Sequence, residues 1–378
     1  MALLISPGHC IDGDGTALPQ GSAVLVEKGV IQAVGVGLAA PGATVLDLPD
    51  LALLPGFIDL HDYLSVDPDR PQPMAQMHGT DMALRRAVAA RHMALDLAAG
   101  VTTLRVMGEG GGLDVTLARE GAPGPLLVPS GAPIAAPGTH QTGPEGGFAT
   151  PDDVARAVDD RAAGGAVWIK LVPTGGALGA GPTETPWTRM HVQAAMRRAR
   201  ALGLPVAVAA HGGPIVAIAA EEGAATLEHG AFLDEAALDA MAANGMALVA
   251  TLGRFLHPDG MARGAAATPV DCARLAAARD SIRKWMPSAL ARGIAIGLGG
   301  DNMHGRQAWD VAALVRLGAE PGLAIAALTG TAARLCRLPD RGFLRAGLRA
   351  DLVAVAGDPL ADPSTLQRVH RVFQGGIG

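Results

Sequence analysis

Hydrophobic positions along the chain fall into two textures. Residues 1–50 read as short β segments broken by turns: ALLIS, then SAVLVEKGVIQAVG with Gly29 between its apolar arms, then TVLDLPD. The stretch 342–378 returns to this style with ADLVAVAG and VHRVFQGG. Terminal β segments of this kind, with no helical period between them, predict a small sheet assembled from both ends of the chain.

Between them, apolar β-rich runs alternate with alanine-rich stretches of helical period. LLPGFIDLH is followed by AVAARHMALDLAAG and VTTLRVMG, DDVARAVDDRAAGG by AVWIKLV, and MHVQAAMRRARALG by PVAVAAH. The alternation continues through ATLEHG, LDEAALDAMAANG, MALVATL and a helical 271–292 to IAIGLGGD. A strand–helix unit recurring about eight times over 54–335 predicts a (β/α)8 barrel. Continuously apolar strands fit a parallel sheet covered on both faces. An open doubly wound sheet competes, but no GxGxxG or GxxxxGK[ST] follows a strand, which weakens its nucleotide-binding forms. The expected architecture is α/β: a (β/α)8 TIM barrel over 54–339 with a small β-sandwich domain built from 1–53 and 340–378.

Composition narrows the function. With 378 residues, 49% apolar and 17% charged, the chain can bury a large core. Its net charge of −6 carries no Lys/Arg-rich run, which argues against nucleic acid and an anionic membrane as partners. Cys10, Cys272 and Cys336 form no CxxC pair, as expected of a reducing cytoplasm. The start, MALLISPGHC, lacks a basic region and meets Pro-Gly early, so a soluble cytoplasmic protein acting on a small molecule is expected. The only lysines are Lys28, Lys170 and Lys284, which makes Lys170, in an apolar strand, conspicuous.

In a barrel, functional groups gather where strands end. The polar residues there are His61, Lys170, His211, His229 and Asp301 on the first, fourth, fifth, sixth and eighth strands. These are nitrogen and oxygen donors of the kind that suit Zn²⁺ or a similar divalent ion. A single strand-terminal histidine is more often a satisfied core residue than a ligand; five donors at one topological position argue for a site. Burial would favour the neutral amine of Lys170.

The ordered set resembles the amidohydrolase superfamily, and in particular its imidazolonepropionase-like and prolidase-like branch. LLPGFIDLH resembles the family's first-strand motif ending in His-x-His, WIKLVPTGG its metal-bridging lysine strand, AAHGG and LEHGAFLD its single-histidine strands, and GLGGDNMHG its aspartate strand. GFLRAGLRADLVAVAGDPL resembles its C-terminal return into the β-sandwich. The resemblance implies metal on His61, Lys170, His211, His229 and Asp301, with Lys170 as N6-carboxylysine. It also implies one or two ions, most readily zinc, Asp301 as general base, and a homo-oligomer.

Two positions depart from the pattern. Tyr63, the only tyrosine, stands where the second histidine of His-x-His would be, and Ala209 stands where the fifth strand often carries another histidine. Three sites stay open: one ion on Lys170, His211 and His229 with Tyr63 hydrogen-bonding substrate; two ions with a tyrosinate ligand; or no metal, with Lys170, Asp301 and Tyr63 as acid–base groups. Strand alternation disfavours Asp62, rather than Tyr63, facing the pocket. His140, His304 and Arg105 are candidate substrate contacts, with a solvated loop position (His140, His304) or packing between strands (Arg105) as the competing reading; Arg254 and His257 are weaker candidates. GEGGG, 108–112, lacks the Lys-Ser/Thr of a phosphate loop and reads as a flexible rim. The expected activity is metal-dependent hydrolysis of a C–N bond in an amide, small peptide or cyclic amide, with Asp301 and Tyr63 as catalytic groups. The alternatives are a lyase, cyclase or isomerase on the same scaffold, or a silent binding protein.

Overall fold

The computed structural model describes residues 2–68, 76–79, 81–143, 146–179, 181–264 and 268–377. The chain opens with β1 (Ala2–Cys10), β2 (Ser22–Glu27), β3 (Val30–Val36) and β4 (Thr44–Pro55). Nine strands follow: β5 (Phe57–Asp62), β6 (Val101–Val106), β7 (Leu126–Pro129), β8 (Ile134–Ala135), β9 (Ile169–Val172), β10 (Val206–Gly212), β11 (Thr226–Phe232), β12 (Ala247–Ala250) and β13 (Ile296–Leu298). β14 (Leu352–Ala356) and β15 (Val369–Phe373) close the sequence.

The terminal strands form one six-stranded sheet in the order β15-β14-β4-β1-β2-β3. β4 is its hub, pairing parallel with β1 and antiparallel with β14, so strands from both ends of the chain meet in it. The observed unit is a single mixed sheet packed around Ile5, Val24, Leu53, Leu352 and Phe373.

The middle of the chain is parallel throughout. β5-β6-β7 form one set and β13-β12-β11-β10-β9-β8 a second. Backbone bonds link the sets at both edges: Asp301 N donates to His61 O (2.7 Å) and Tyr63 N to Asp301 O (3.2 Å) on one side, and Val167 N to Pro129 O (2.9 Å) on the other. Helices separate the strands, among them Met82–Ala98, Pro151–Gly164, Arg189–Ala201, Glu235–Asn244 and Pro269–Ala291. Their starts are chemically marked. Asp81, Thr150, Asp234 and Thr268 each accept a first-turn backbone N–H, and Thr150 with Asp153 forms a reciprocal capping box. All of β5, β6 and β10 is buried; β10 is apolar up to His211, as a strand covered on both faces requires, whereas β5 and β6 also bury Asp59, His61, Asp62 and Arg105. Among the described residues no helix is long and apolar enough to cross a membrane, and Cys10 and Cys336 are buried thiols.

Candidate active site

The strand ends bring the expected residues into one neighbourhood. The His61 and His229 rings lie 4.5 Å apart between centroids, and His211 and His229 5.3 Å. Lys170 rises from the second position of β9, in register with Ala207 of β10, and is 1% exposed. His229 (φ 71°) and Asp301 (φ 60°) both adopt the left-handed region, which costs a non-glycine residue about 1 kcal/mol or more. That strain is concentrated at two of the five candidate residues.

Tyr63 lies on the same side of β5 as His61, as alternation requires. Its hydroxyl oxygen accepts from Lys170 Nζ (2.5 Å) and from Gln141 Nε2 (2.7 Å), and Lys170 Nζ also sits 4.5 Å from the ring centroid. Burial lowers the Lys170 pKa to about 7, against the opposing pull of Glu228 and Asp301, so the neutral amine is accessible near neutrality. Burial and then the Asp301 charge push the Tyr63 phenol well above its usual range, with Gln141 opposing. Tyr63 is therefore a neutral hydroxyl here. His140, the exposed member of the group, touches Gln141 at 3.1 Å and hangs over the mouth above Gly176.

Sequence reasoning passed over Glu228. It is fully buried beside His229, and its Oε2 lies 2.7 Å from His61 Nδ1. A carboxylate only accepts, so Nδ1 carries the proton and Nε2 keeps its lone pair. Arg105 Nη2 donates to both Glu228 oxygens (2.8 and 2.9 Å), and Thr226 Oγ1 donates to Oε1 (2.5 Å). Arg105 itself is 0% exposed, with Nε bonded to Leu60 O, Nη1 to Thr226 Oγ1, and its guanidinium 4.4 Å from the Trp168 ring. The structure thus gives Arg105 a packing position between strands, where every guanidinium nitrogen has a protein acceptor.

His304 also turns away from the His61 side. Its Nδ1 lies 2.9 Å from Asp96 Oδ2 and 3.6 Å from Asp62 Oδ2, and its ring stacks on His92 at 3.8 Å. Burial alone would lower its pKa, but Asp62 and Asp96 outweigh burial and raise it to about 10, so His304 is a cation among carboxylates. Arg254 stands on the Asp301 side, with Nε 3.3 Å from Asp301 Oδ2 at an angle too poor for a hydrogen bond. Burial raises the Asp301 pKa, and Arg254 and Lys170 hold the rise down. The segment 108–112 is no loose rim: Glu109 is 0% exposed and accepts from Ser65 N, Ser65 Oγ and Arg85 Nη2.

With this geometry in place, similarity becomes informative. The amidohydrolase family profile matches residues 52–377. The chain belongs to the amidohydrolase family. It is 29% identical to an imidazolonepropionase of Salinispora arenicola over 95% of this chain and 91% of that one. It is 27% identical to the ochratoxinase of Aspergillus niger over 99% of this chain and 85% of the fungal protein. The crystal structure of a Xaa-Pro dipeptidase with bound methionine in the active site superposes with a TM-score of 0.88 at 26% identity, covering 100% and 99% of the two chains. These relatives make the protein a hydrolase acting on C–N bonds, with a TIM-barrel-like α/β fold.

Amidohydrolases typically bind divalent metals. In this one, His61 Nε2 and His211 Nδ1 are buried ring nitrogens without a hydrogen-bond partner. Burial holds both histidines neutral, His211 at about 3, which keeps lone pairs available. Orphaned buried nitrogens facing a lysine and an aspartate fit a cation better than they fit an apolar core. The ligand atoms that already approach one another tightly are a different set: among the described residues Asp62, Asp96 and His304 bring one atom each within 4.8 Å. There, His304 Nδ1 pairs with Asp96, while Asp62 Oδ2 and His304 Nε2 keep no hydrogen-bond partner.

Proposed function

We propose that this amidohydrolase cleaves an amide or peptide C–N bond of a small substrate at the mouth formed by His61, Lys170, His211, His229 and Asp301. The middle strands, with β7 and the two-residue β8 taken together as the third, then form a closed (β/α)8 barrel over 54–339, carrying the terminal sheet of 1–53 and 340–378 as a separate domain. The orphaned His61 Nε2 and His211 Nδ1 carry the reading, since a buried imidazole nitrogen with nothing to bond is costly unless a ligand meets it.

His61, Lys170, His211, His229 and Asp301 would hold a divalent ion, zinc by donor type. When bound, such an ion supplies Lewis acidity to the scissile carbonyl and acidifies water. A single ion is favoured, because the Tyr63 hydroxyl occupies the place beside Lys170 Nζ and is a neutral phenol. The low pKa of Lys170 makes its amine competent to add CO2 and become N6-carboxylysine. Glu228 fixes the His61 tautomer, and Arg105 fixes Glu228, so both are positioning residues. Asp301, its basicity raised by burial, takes a proton from the attacking water. The water oxygen adds to the carbonyl carbon, the C–N bond breaks, and the same proton passes from Asp301 to the leaving nitrogen. Tyr63 donates its proton as a hydrogen bond to the substrate carbonyl, and His140 contacts substrate from the rim.

Elemental analysis of protein purified without chelator tests this reading. About one divalent ion per chain is expected, with amidase or dipeptidase activity lost in EDTA and restored by zinc. Metal below trace levels with EDTA-insensitive turnover would overturn it. The direct Lys170–Tyr63 bond favours one second reading, a metal-independent lyase, cyclase or isomerase using those groups as acid and base. That reading requires turnover in metal-free protein that Tyr63→Phe abolishes.

A further inference from the structure

A groove opens at the opposite ends of the strands, where β7, β9 and β10 begin. It encloses about 630 Å³, within the range of small-ligand sites, roughly 300–1,000 Å³. Its walls are apolar, supplied by Leu127, Val128, Leu204, Pro205 and Leu338, with Trp168, 1% exposed, among the lining residues. Leu126 and Val167 at its edge are 39% and 46% exposed, so a strip of apolar surface stays open to solvent.

The charged residues lining it are Arg119 and Arg337, and no acidic residue joins them. In a chain of net charge −6 this is a local reversal of sign. Arg119 donates to the Gly164 carbonyl at 3.1 Å, and neither arginine has a carboxylate partner among the described residues. Arg337 sits at φ 59°, just past the helix Gly330–Leu335, where glycine would be free of strain. An arginine held there at a cost of about 1 kcal/mol points to use of its side chain.

We propose that this groove is a binding site for a small apolar carboxylate, its hydrocarbon part laid against Leu126, Leu204 and Leu338 and its carboxylate between Arg119 and Arg337. The site is separate from the strand ends that carry Lys170, yet it shares a wall with them. Trp168, a buried residue of the groove lining, carries the Arg105 guanidinium on its ring, and Arg105 holds Glu228 and through it His61. Two cationic donors give the carboxylate its orientation, and the apolar walls supply contact area.

Calorimetric titration with octanoate, with 1-octanol as the uncharged probe of equal chain length, tests the proposal on the whole chain. Saturable one-to-one binding of octanoate is expected, at least tenfold tighter than octanol. It should weaken at least tenfold in the double variant Arg119→Gln/Arg337→Gln, and stay unchanged in Lys170→Met. Both arginines are exposed, so the double variant keeps its fold, which circular dichroism verifies. Absence of saturable binding would overturn the site, as would binding lost in Lys170→Met but retained in the arginine variant. So would an oligomer that Leu126→Ser/Val167→Ser converts to monomer, because a second copy of the chain would then cover the groove.

Discussion

The Tyr63 hydroxyl oxygen and Lys170 Nζ are 2.5 Å apart at the bottom of the mouth, and Gln141 holds the same oxygen from the other side. Such a phenol is oriented before substrate arrives. Tyr63→Phe should therefore lower kcat about 100-fold, the usual cost of losing one donor aimed at developing charge, while bound metal stays constant. Steady-state kinetics paired with metal analysis checks this; turnover within threefold of wild type would remove Tyr63 from the chemistry.

Glu228 ties His61 to Arg105, and all three are buried. Glu228→Gln leaves Arg105 without its countercharge in the interior, which should cost about 3–5 kcal/mol in urea unfolding. The same change loosens the His61 tautomer and should weaken metal affinity about 10–100-fold, measured by competition with a chelator.

Asp301→Asn separates chemistry from folding. Asparagine tolerates the left-handed backbone that Asp301 adopts, so the melting temperature should hold. Its amide cannot take a proton from water, so kcat should fall by about 100-fold or more. A variant that keeps wild-type kcat would rule out Asp301 as the base.

Asp114 offers a test away from the mouth. Burial, helped by Glu109, raises its pKa to about 7, although Gly131 N, Val115 N and Ser130 N oppose the rise. Below pH about 4 folded and unfolded chains both bind the proton. Between about 4 and 7 only the folded chain does, so the contribution of Asp114 to stability is lost as pH climbs through that window, by up to about 1.4 kcal/mol per pH unit. Asp114→Asn should gain stability relative to wild type as pH rises from 4.5 to 7.5. Urea unfolding at both values checks it; a pH-independent difference would mean the carboxyl is ionised throughout.

What the sequence made legible depended on strand periodicity. Lys170 stood out because an ammonium inside an apolar run loses its hydration, a cost that a purely structural strand avoids by carrying an aliphatic residue instead. The order of His61, His211, His229 and Asp301 followed from where strands stop. Glu228 was hidden because alternation assigns it to the face opposite His229. The left-handed turn at His229 breaks that alternation and lets both neighbours reach His61. The left-handed turn at Asp301 likewise precedes the bend that carries His304 to Asp96, a partner about 200 residues earlier that no local pattern announces. Arg105 ends a strand as a substrate-binding arginine would, but its acceptors come from β5 and β11, known only once the strands are placed. The glycines of 108–112 suggested looseness, whereas Glu109 among them is clamped by Ser65 and Arg85.

The position of β4 has a consequence for how the chain is made. During synthesis β1, with β2 and β3 beside it, can pair with β4 at once, but the opposite edge of β4 waits for β14, roughly 300 residues later. At about 5–20 residues per second that is some 15–60 s on the ribosome with an apolar strand, LALLP, unpaired along one side. The nascent protein must therefore shelter this edge until its last strands emerge, and slow elongation between β5 and β13 would reduce its yield more than its activity.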